Sequence, residues 1–289
     1  MGHLAKIICD SVSMEGVRLT TFEIVFPRIV LAEFNTHRVF SRNSASSRAI
    51  PVEKMIKMVE DNPYIPTHWG KNQKGMSADQ EVGDFAKVHA ESVWLRARDR
   101  AVEQTRILLD FGIHKQITNR LMEPFMWHTV VVTATEWSNF WHLRDHPDAH
   151  PEIQKIAHMM RELYEEIDTV GIGPNVVEYG DWHLPYVNSD DWKMLSEAGS
   201  GREESLEMLK RVSAGRCAAV SYMRQNVAEL VKDAQRCETL ISSAHMSPLE
   251  HPATPLHLGT QSHSNYRCWM QFRKYVPNEH DALGAVRSA

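Results

Sequence analysis

The stretch Asn35–Arg48 reads N-T-H-R-V-F-S-R-N-S-A-S-S-R and lies between two apolar segments. It holds three arginines, Arg38, Arg42 and Arg48, together with four serines and one histidine, and it contains no acidic residue. Arginine binds phosphate oxygens bidentately, and serine hydroxyls and loop amides can complete such a site. A solvated surface loop has a similar composition, so composition alone leaves both an anion site and a surface loop open.

Hydrophobic periodicity and capping signals predict the regular elements around this stretch. Strands are expected at 4–9 and 17–26. Helices are expected at 26–34, 51–60, 77–109, 114–123, 126–144, 151–167 and 204–241, and Ser77 begins a capping box at the head of the third. Residues 61–76 are expected to form a loop or lid, 168–202 an irregular connection, and 242–289 a mixed end. The connection could divide two domains, but polar clusters lie on both sides of it.

Composition excludes several classes of protein. The net charge of −5 argues against a general nucleic-acid surface, which needs a basic excess. No apolar run approaches the roughly 20 residues that span a bilayer, and the first residues carry no cleavage signal. The four cysteines are scattered without a C-x-x-C motif, which favours a reducing compartment. We therefore expect a cytoplasmic protein with no membrane segment and no stable nucleic-acid partner.

A second polar cluster lies at His245–His251, H-M-S-P-L-E-H, which combines two histidines, a hydroxyl and a carboxylate. It lacks the H-E-x-x-H spacing of zinc proteases, and Pro248 disfavours a continuous helix, so a turn with surface histidines is the alternative. A third cluster comprises Arg120–Pro124 and Trp137–Arg144. Three histidines at helical spacing begin in this cluster, but Pro147 interrupts them, and no metal site is predicted.

The first stretch fills the spacing H-R-x-x-S-x-N-x-x-S-x-R with His37, Arg38, Ser41, Asn43, Ser46 and Arg48. This spacing resembles the motif R-H-R-x-x-S-x-N-x-x-S-x-R of the flavin-dependent thymidylate synthases, with Thr36 at the position of the first arginine. The cluster at 245–251 resembles the family's H-x-S/T-P-F-E-H segment, with Leu249 in place of phenylalanine. The third cluster and residues Ala149–Ile153 resemble its R-x-x-x-P, N-F-x-x-L-R and A-Q-x-E-I motifs.

The order of these motifs differs from that of the family. There the H-x-S/T-P-F-E-H segment precedes the arginine-rich loop, whereas here it follows far downstream. Residues Ala214–Tyr222 resemble the A-R-V-S-Y opening near the family's N-terminus. The resemblance therefore implies a circularly permuted α+β fold of the thymidylate synthase-complementing-protein type, with a mixed sheet and long helices in one domain of residues 1–289. Termini often lie close together in a domain, so such a permutation can preserve the fold.

The resemblance implies that the protein uses FAD, methylenetetrahydrofolate and NADPH to methylate C5 of a deoxypyrimidine monophosphate, as in dUMP to dTMP. It also implies a homotetramer with active sites shared between subunits. The nucleotide-binding residues implied by the motifs are Glu33, Ser44, Ser46, Ser47, Arg48, Arg120 and Arg144. The cofactor-binding residues implied are Thr36, His37, Arg38, Val39, Asn43, Asn139, His245 and Ser247. Three of these are catalytic candidates: Arg144 to activate the base, Ser46 to bind phosphate and His245 beside the folate.

Four residues in the expected nucleotide site depart from the family pattern. Glu33, Thr36, Ser44 and Ala49 stand for glutamine, arginine, glutamate and tyrosine. One alternative is therefore a hydroxymethyltransferase that makes 5-hydroxymethyl-dCMP or 5-hydroxymethyl-dUMP. A second alternative is a non-catalytic relative that binds flavin and nucleotide. An oligonucleotide-binding module is disfavoured by the negative net charge.

Overall fold

The computed structural model describes residues 2–170, 173–222, 229–257 and 262–281. The strands of its main sheet are β1 (Leu4–Ser13), β2 (Arg18–Pro27), β3 (Ser41–Ser44), β4 (Trp127–Ala134) and β5 (Asn175–Val177). Their order in the sheet is β3-β4-β2-β1-β5. The first three neighbouring pairs are antiparallel, whereas β5 runs parallel to β1. The sheet is therefore mixed, as expected for the α+β class.

The α-helices in the described part of the chain are α1 (Leu31–Asn35), α2 (Val52–Asp61), α3 (Asp84–Asp110), α4 (Lys115–Thr118), α5 (Ser138–Arg144), α6 (Pro151–Val170), α7 (Ser189–Glu197), α8 (Arg202–Ala219) and α9 (Leu230–Ser242). Short strands near the C-terminal end are β6 (Ala253–Pro255), β7 (Ser262–His263), β8 (Tyr266–Arg267) and β9 (Trp269–Gln271). The predicted strands at 4–9 and 17–26 and the predicted helices at 51–60 and 151–167 are confirmed. The helical prediction at 204–241 is confirmed by α8 and α9, and its residues 223–228 lie outside the described ranges.

The prediction of one helix over 126–144 is wrong. Trp127–Ala134 forms the strand β4, and only Ser138–Arg144 is helical. The run Thr129–Thr133, T-V-V-V-T, consists of β-branched residues, which favour strands. It is buried on both faces of the sheet, so the alternation that would have identified a strand is missing.

Other predicted boundaries also differ from the structure. The segment expected as a helix at 26–34 begins with the end of β2 and becomes α-helical only at Leu31. The segment at 114–123 consists of the short helix α4 followed by a 3-10 helix that begins at Asn119. The loop expected at 35–48 contains the edge strand β3. Ser77 does not begin a helix, because α3 starts after Gly83. The connection expected at 168–202 contains β5 and α7, and Asn188 caps α7.

One face of the sheet is apolar. Phe22, Ile24 and Phe26 of β2 and Val130 and Val132 of β4 lie on this face and are at most 1% exposed. Aromatic residues of α1 and α5 and aliphatic residues of α6 cover them. Burial of one such side chain contributes roughly 1.5–3 kcal/mol. This layer therefore fixes the positions of α1 and α5 relative to the sheet.

The opposite face carries a buried chain of hydrogen bonds. Thr21 Oγ1 lies 2.7 Å from Thr133 Oγ1 and 2.8 Å from His183 Nε2. The chain continues from Thr133 Oγ1 to His251 Nδ1 and from His183 Nδ1 to Ser11 Oγ, each over 2.8 Å. Burial lowers the pKa of both histidines to about 3, so both rings are neutral. These contacts join the C-terminal half of the chain to the sheet.

Helices α8 and α9 approach each other closely at Gly215. A Cβ atom at this position would lie only 2.0 Å from the backbone oxygen of Asp233. The adjacent Arg216 donates hydrogen bonds to the carboxylates of Asp191 and Asp233 and to the backbone oxygen of Tyr186. Because one half-buried guanidinium binds both carboxylates, it links α7, α8 and α9.

Among the residues that the structure describes, no helix is long and apolar enough to cross a bilayer. The assignment of residues 1–289 to a single domain stays a prediction.

We predict that Thr133→Val destabilises the protein by about 1–3 kcal/mol, because it leaves His251 Nδ1 without its partner and removes the hydrogen bond to Thr21 Oγ1. Urea unfolding measures the free energy. Thr129→Val is the matched control, since Thr129 is on the same strand and face and its hydroxyl has no hydrogen bond within the described ranges. If the two variants lost the same free energy of unfolding, the buried hydrogen bonds of Thr133 would have no special role in stability.

Candidate functional site

The arginine-rich stretch is held at the edge of the sheet. Its middle forms β3, which pairs with β4 from Ser41 opposite Thr133 to Ser44 opposite Val130. Just after β3, the backbone nitrogen of Ala45 donates to the oxygen of Thr129. The loops on either side of β3 are therefore anchored to the sheet where they join this strand.

Arg144, at the end of α5, reaches the first of these loops. Its Nε donates to His37 Nε2 over 3.0 Å, and its NH2 group donates to Thr36 Oγ1 over 3.0 Å and to the backbone oxygen of Glu33 over 3.3 Å. The structure thus brings together Glu33, Thr36, His37 and Arg144, which the sequence motifs single out from two distant segments. A guanidinium stays charged at all relevant pH values, so this cluster presents a fixed positive charge.

His37 is almost fully buried, with 6% of its surface exposed. The rings of Phe40 and Phe140 pack against it with centroids 5.7 and 4.9 Å away. Desolvation, together with the charges of Arg144 and Arg42, lowers the pKa of His37 to about 4. The imidazole is therefore neutral at physiological pH, as it must be for Nε2 to accept a hydrogen bond from Arg144.

The far end of the stretch meets a shared carboxylate. Glu123 Oε1 accepts hydrogen bonds from Ser47 Oγ and Arg120 NH1, each over 2.8 Å, and from Arg28 NH2 over 3.2 Å. Asn119 Nδ2 holds the same loop by donating to the backbone oxygen of Ser47 over 2.7 Å. Ser47, which is buried, and Arg120 therefore lie together at the carboxylate of Glu123.

The remaining predicted nucleotide residues lie along the same stretch. Ser44 and Ser46 are half-buried, and Arg48 is exposed. The backbone nitrogen of Ser46 donates to the oxygen of Ser221, so the A-R-V-S-Y-like segment reaches the loop. Their assignment to phosphate binding stays a prediction.

The histidine-rich motif of the C-terminal segment packs against β3 through the 3-10 helix at 247–250. Within it, Glu250 accepts a hydrogen bond from Arg273 over 2.5 Å. His245 and Ser247 are exposed, and His245 Nδ1 lies 3.0 Å from Ser243 Oγ. Asn139 is also exposed and precedes Phe140, whose ring contacts His37. Segments near positions 40, 140 and 247 are thus neighbours around one edge of the sheet.

Two buried polar atoms at this edge have no hydrogen-bond partner within the described ranges: Asn43 Nδ2 and Glu33 Oε2. Arg38 and Val39, which lie between these two residues in the sequence, are exposed. A flavin dinucleotide offers ring and phosphate acceptors and apolar surface, so an unpaired amide donor, an exposed guanidinium and an exposed aliphatic side chain suit it. Among the residues expected to hold the cofactor, Asn43, Arg38 and Val39 therefore fit the group.

Sequence reasoning missed three residues that shape the site. Arg42 donates to the backbone oxygen of His37 over 2.8 Å, Glu123 gathers three donors, and Asn119 fixes the backbone near Ser47. Arg42 was visible as a cation in the motif. Glu123 lies inside the R-x-x-x-P segment, but nothing in the sequence indicated which side chains it would meet.

The model of the thymidylate synthase complementing protein family matches residues 15–168, more than half of the chain. The chain therefore belongs to this family, and the protein is a thymidylate synthase-like enzyme. The matched region contains the arginine-rich stretch together with Glu123 and Arg144, which contact it. The family is flavin-dependent, in agreement with the fit of this edge to a flavin.

Solved structures similar to this chain include the UMP/dUMP methylase PolB from Streptomyces cacaoi. With 5-Br UMP bound, that protein gives a TM-score of 0.46 at 17% identity, covering 57% of this chain and 89% of its own. With 5-Br dUMP bound, the values are 0.44, 18%, 55% and 73%. None of the curated proteins compared with the chain matches it significantly.

We predict that the His37 ring stays neutral from pH 8 down to about 5 and titrates with a pKa of about 4. Nitrogen-15 NMR of labelled histidine measures this. Arg144→Gln removes a facing positive charge and should raise the pKa of His37 toward its ordinary value. Arg211→Gln, which removes an arginine paired with Glu238 elsewhere, should leave it unchanged. An unperturbed pKa in the wild type would contradict the burial of this ring beside two guanidiniums.

Proposed function

We propose that the enzyme transfers a one-carbon unit from methylenetetrahydrofolate to C5 of a deoxypyrimidine monophosphate of the dUMP type, with FAD as cofactor and NADPH as reductant. The observation that carries the proposal is the fixed guanidinium of Arg144 beside the arginine-rich loop, in a chain of a flavin-dependent family. A charged, preorganised donor at this place suits a substrate that becomes anionic on activation.

The chain's own residues would act in two ways. Ser46, Ser47, Arg48 and Arg120 would hold the phosphate. Glu123 brings Ser47 and Arg120 together, and Ser46 and Arg48 flank Ser47 in the sequence. Arg144 would hold the base and stabilise its anionic form, in which C5 is a better nucleophile, without giving up a proton. Anchoring both ends of the nucleotide fixes C5 relative to the flavin and lowers the entropic part of the barrier. The bound flavin would supply the reducing equivalents.

We also infer that the chain is circularly permuted relative to its family. Support comes from the packing of the segment at 247–250 on β3 and from the hydrogen bond between Ser46 and Ser221. Both contacts bring C-terminal segments to the arginine-rich loop, and in the family's motif order the corresponding segments come before that loop. Superposition on a family enzyme tests this. Residues 202–257 placed ahead of residues 2–170 should align as one body, and a match in the native order alone would contradict it.

A hydroxymethyl product or a cytosine substrate remains the second candidate, and Glu33 favours testing it. Its buried Oε2 is an acceptor with no partner within the described ranges. An exocyclic amino group, which cytosine has and uracil lacks, would satisfy such an acceptor. Uracil has a carbonyl oxygen at the corresponding position, which has no hydrogen to donate to that acceptor.

We predict that the purified protein is yellow and converts at least one of dUMP and dCMP into a C5-modified nucleotide in the presence of methylenetetrahydrofolate and NADPH. Mass spectrometry of the product distinguishes methyl from hydroxymethyl. Arg144→Gln should lower turnover at least about 100-fold, whereas Arg211→Gln serves as the matched arginine control. Absence of turnover with every pyrimidine nucleotide, despite bound flavin, would contradict the proposal and favour a binding protein.

The homotetramer with shared active sites is also a proposal, supported by the surface of α3. This helix of 27 residues buries only Val102 and Thr105. Phe85 and Phe111, at its two ends, are 79% and 75% exposed. Apolar side chains of this size would become buried if two copies of α3 packed against each other. An antiparallel pair of α3 helices would set the phenylalanine of one end against that of the other.

We predict that the double variant Phe85→Glu, Phe111→Glu lowers the oligomeric mass measured by light scattering, because charges placed in an apolar contact oppose burial. Met194→Glu is the control, since Met194 is an exposed apolar residue on α7. An unchanged mass for the double variant, or a monomeric wild type, would rule out α3 as a subunit contact.

A further inference from the structure

Arg144 has five N–H donors, and three of them are engaged within the protein. Nε donates to His37 Nε2, and NH2 donates to Thr36 Oγ1 and to the backbone oxygen of Glu33. All three acceptors lie within five consecutive residues at the end of α1. The two donors of NH1 have no partner within the described ranges, so they are available to a ligand.

None of these acceptors carries a charge. They are a ring nitrogen, a hydroxyl and a backbone carbonyl, and no carboxylate pairs with Arg144 in the described part of the chain. The next residue, Asp145, is directed away and accepts hydrogen bonds from Arg161 and His158 instead. The guanidinium is therefore held in place while its full positive charge is retained for an anionic partner.

The acceptors are themselves held in the orientation that Arg144 needs. Thr36 donates its hydroxyl hydrogen to the oxygen of Glu33 over 2.7 Å, which leaves an oxygen lone pair for Arg144. Arg42 donates to the backbone oxygen of His37 over 2.8 Å and fixes the backbone of that residue. Phe40 and Phe140 restrict the imidazole ring. The orientation of Arg144 thus depends on a pre-formed loop.

We propose that Thr36 and His37 form a neutral pair that positions Arg144 for the pyrimidine, rather than acting chiefly as flavin ligands. The inference rests on the proposed role of Arg144 in nucleotide activation. It also explains in physical terms why Thr36 replaces the first arginine of the family motif. A threonine accepts a hydrogen bond from Arg144, whereas an arginine at this position would bring a second positive charge to the same place and has no acceptor to offer.

Substitutions at position 36 separate positioning from flavin binding. Thr36→Val keeps the shape and removes the acceptor, so nucleotide affinity or turnover should fall about tenfold, while flavin affinity stays within about twofold. Thr36→Ser restores the acceptor and should recover most of the loss. Thr36→Arg, which restores the family residue, should be worse than Thr36→Val. Thr239→Val is the control, because its hydroxyl donates to the backbone oxygen of Gln235 within α9.

Substitutions at His37 test the second member of the pair. His37→Phe preserves ring packing but removes the acceptor for Arg144 Nε, and it should lower turnover more than it lowers flavin affinity. His37→Gln can present an amide oxygen to the same donor and should recover part of the activity. Flavin fluorescence and isothermal titration measure the two affinities separately.

The positioning of Arg144 can also be measured without catalysis. In nitrogen-15 NMR of arginine side chains, the Arg144 Nε–H should exchange slowly with water in the wild type. Exchange should accelerate in Thr36→Val and His37→Phe but not in Thr239→Val. If the wild type modifies no pyrimidine, the proposed function fails while this measurement still stands. If the wild type is active but Thr36→Val and His37→Phe lose only flavin affinity, or keep Arg144 protected, the positioning role is overturned.

Discussion

The antiparallel pairing of β3 with β4 is the constraint on which the candidate site depends. Arg42 lies opposite Val132, on the side of the sheet covered by α1 and α5, and there it holds the backbone of His37. Ser41 lies opposite Thr133 on the other side, where it accepts a hydrogen bond from Gln271. A slip of one residue would exchange the two sides and break both sets of contacts. The core of β4 specifies this register because Val132 must remain in the apolar layer.

Local charge, rather than net charge, makes this edge suitable for an anionic ligand. The chain as a whole carries −5, yet the loop from Asn35 to Arg48 contains no acid. Glu123 contributes the carboxylate at the far end, and it is shared by three donors. Arg144, at the near end, is left without a carboxylate partner in the described part of the chain. The two ends therefore differ: one is a partly neutralised donor cluster, and the other retains a full positive charge.

The sequence supported the family and the identity of many polar residues because motif spacing is a local property. It could not give contacts between residues far apart along the chain, such as Arg144 with His37, which are 107 positions apart. Strand β4 was missed because burial on both faces removes the alternation that distinguishes a strand from a buried helix. The roles of Asn119 and Glu123 could not be predicted either, because both depend on how their 3-10 helix lies beside the arginine-rich loop. What sequence reasoning captured was the set of chemical groups, and the fold determined their pairing.

The absence of a side chain at Gly215 has an effect beyond the packing of two helices. Helix α9 continues into the turn that carries His245, whose backbone nitrogen donates to the oxygen of Leu240. A single methyl group at Gly215 would push α9 outward at Asp233, and the rigid helix would transmit that shift to the histidine segment beside β3. The missing methyl group at Gly215 thus sets the distance between α8 and α9, and through α9 it sets the position of the histidine segment at the candidate site.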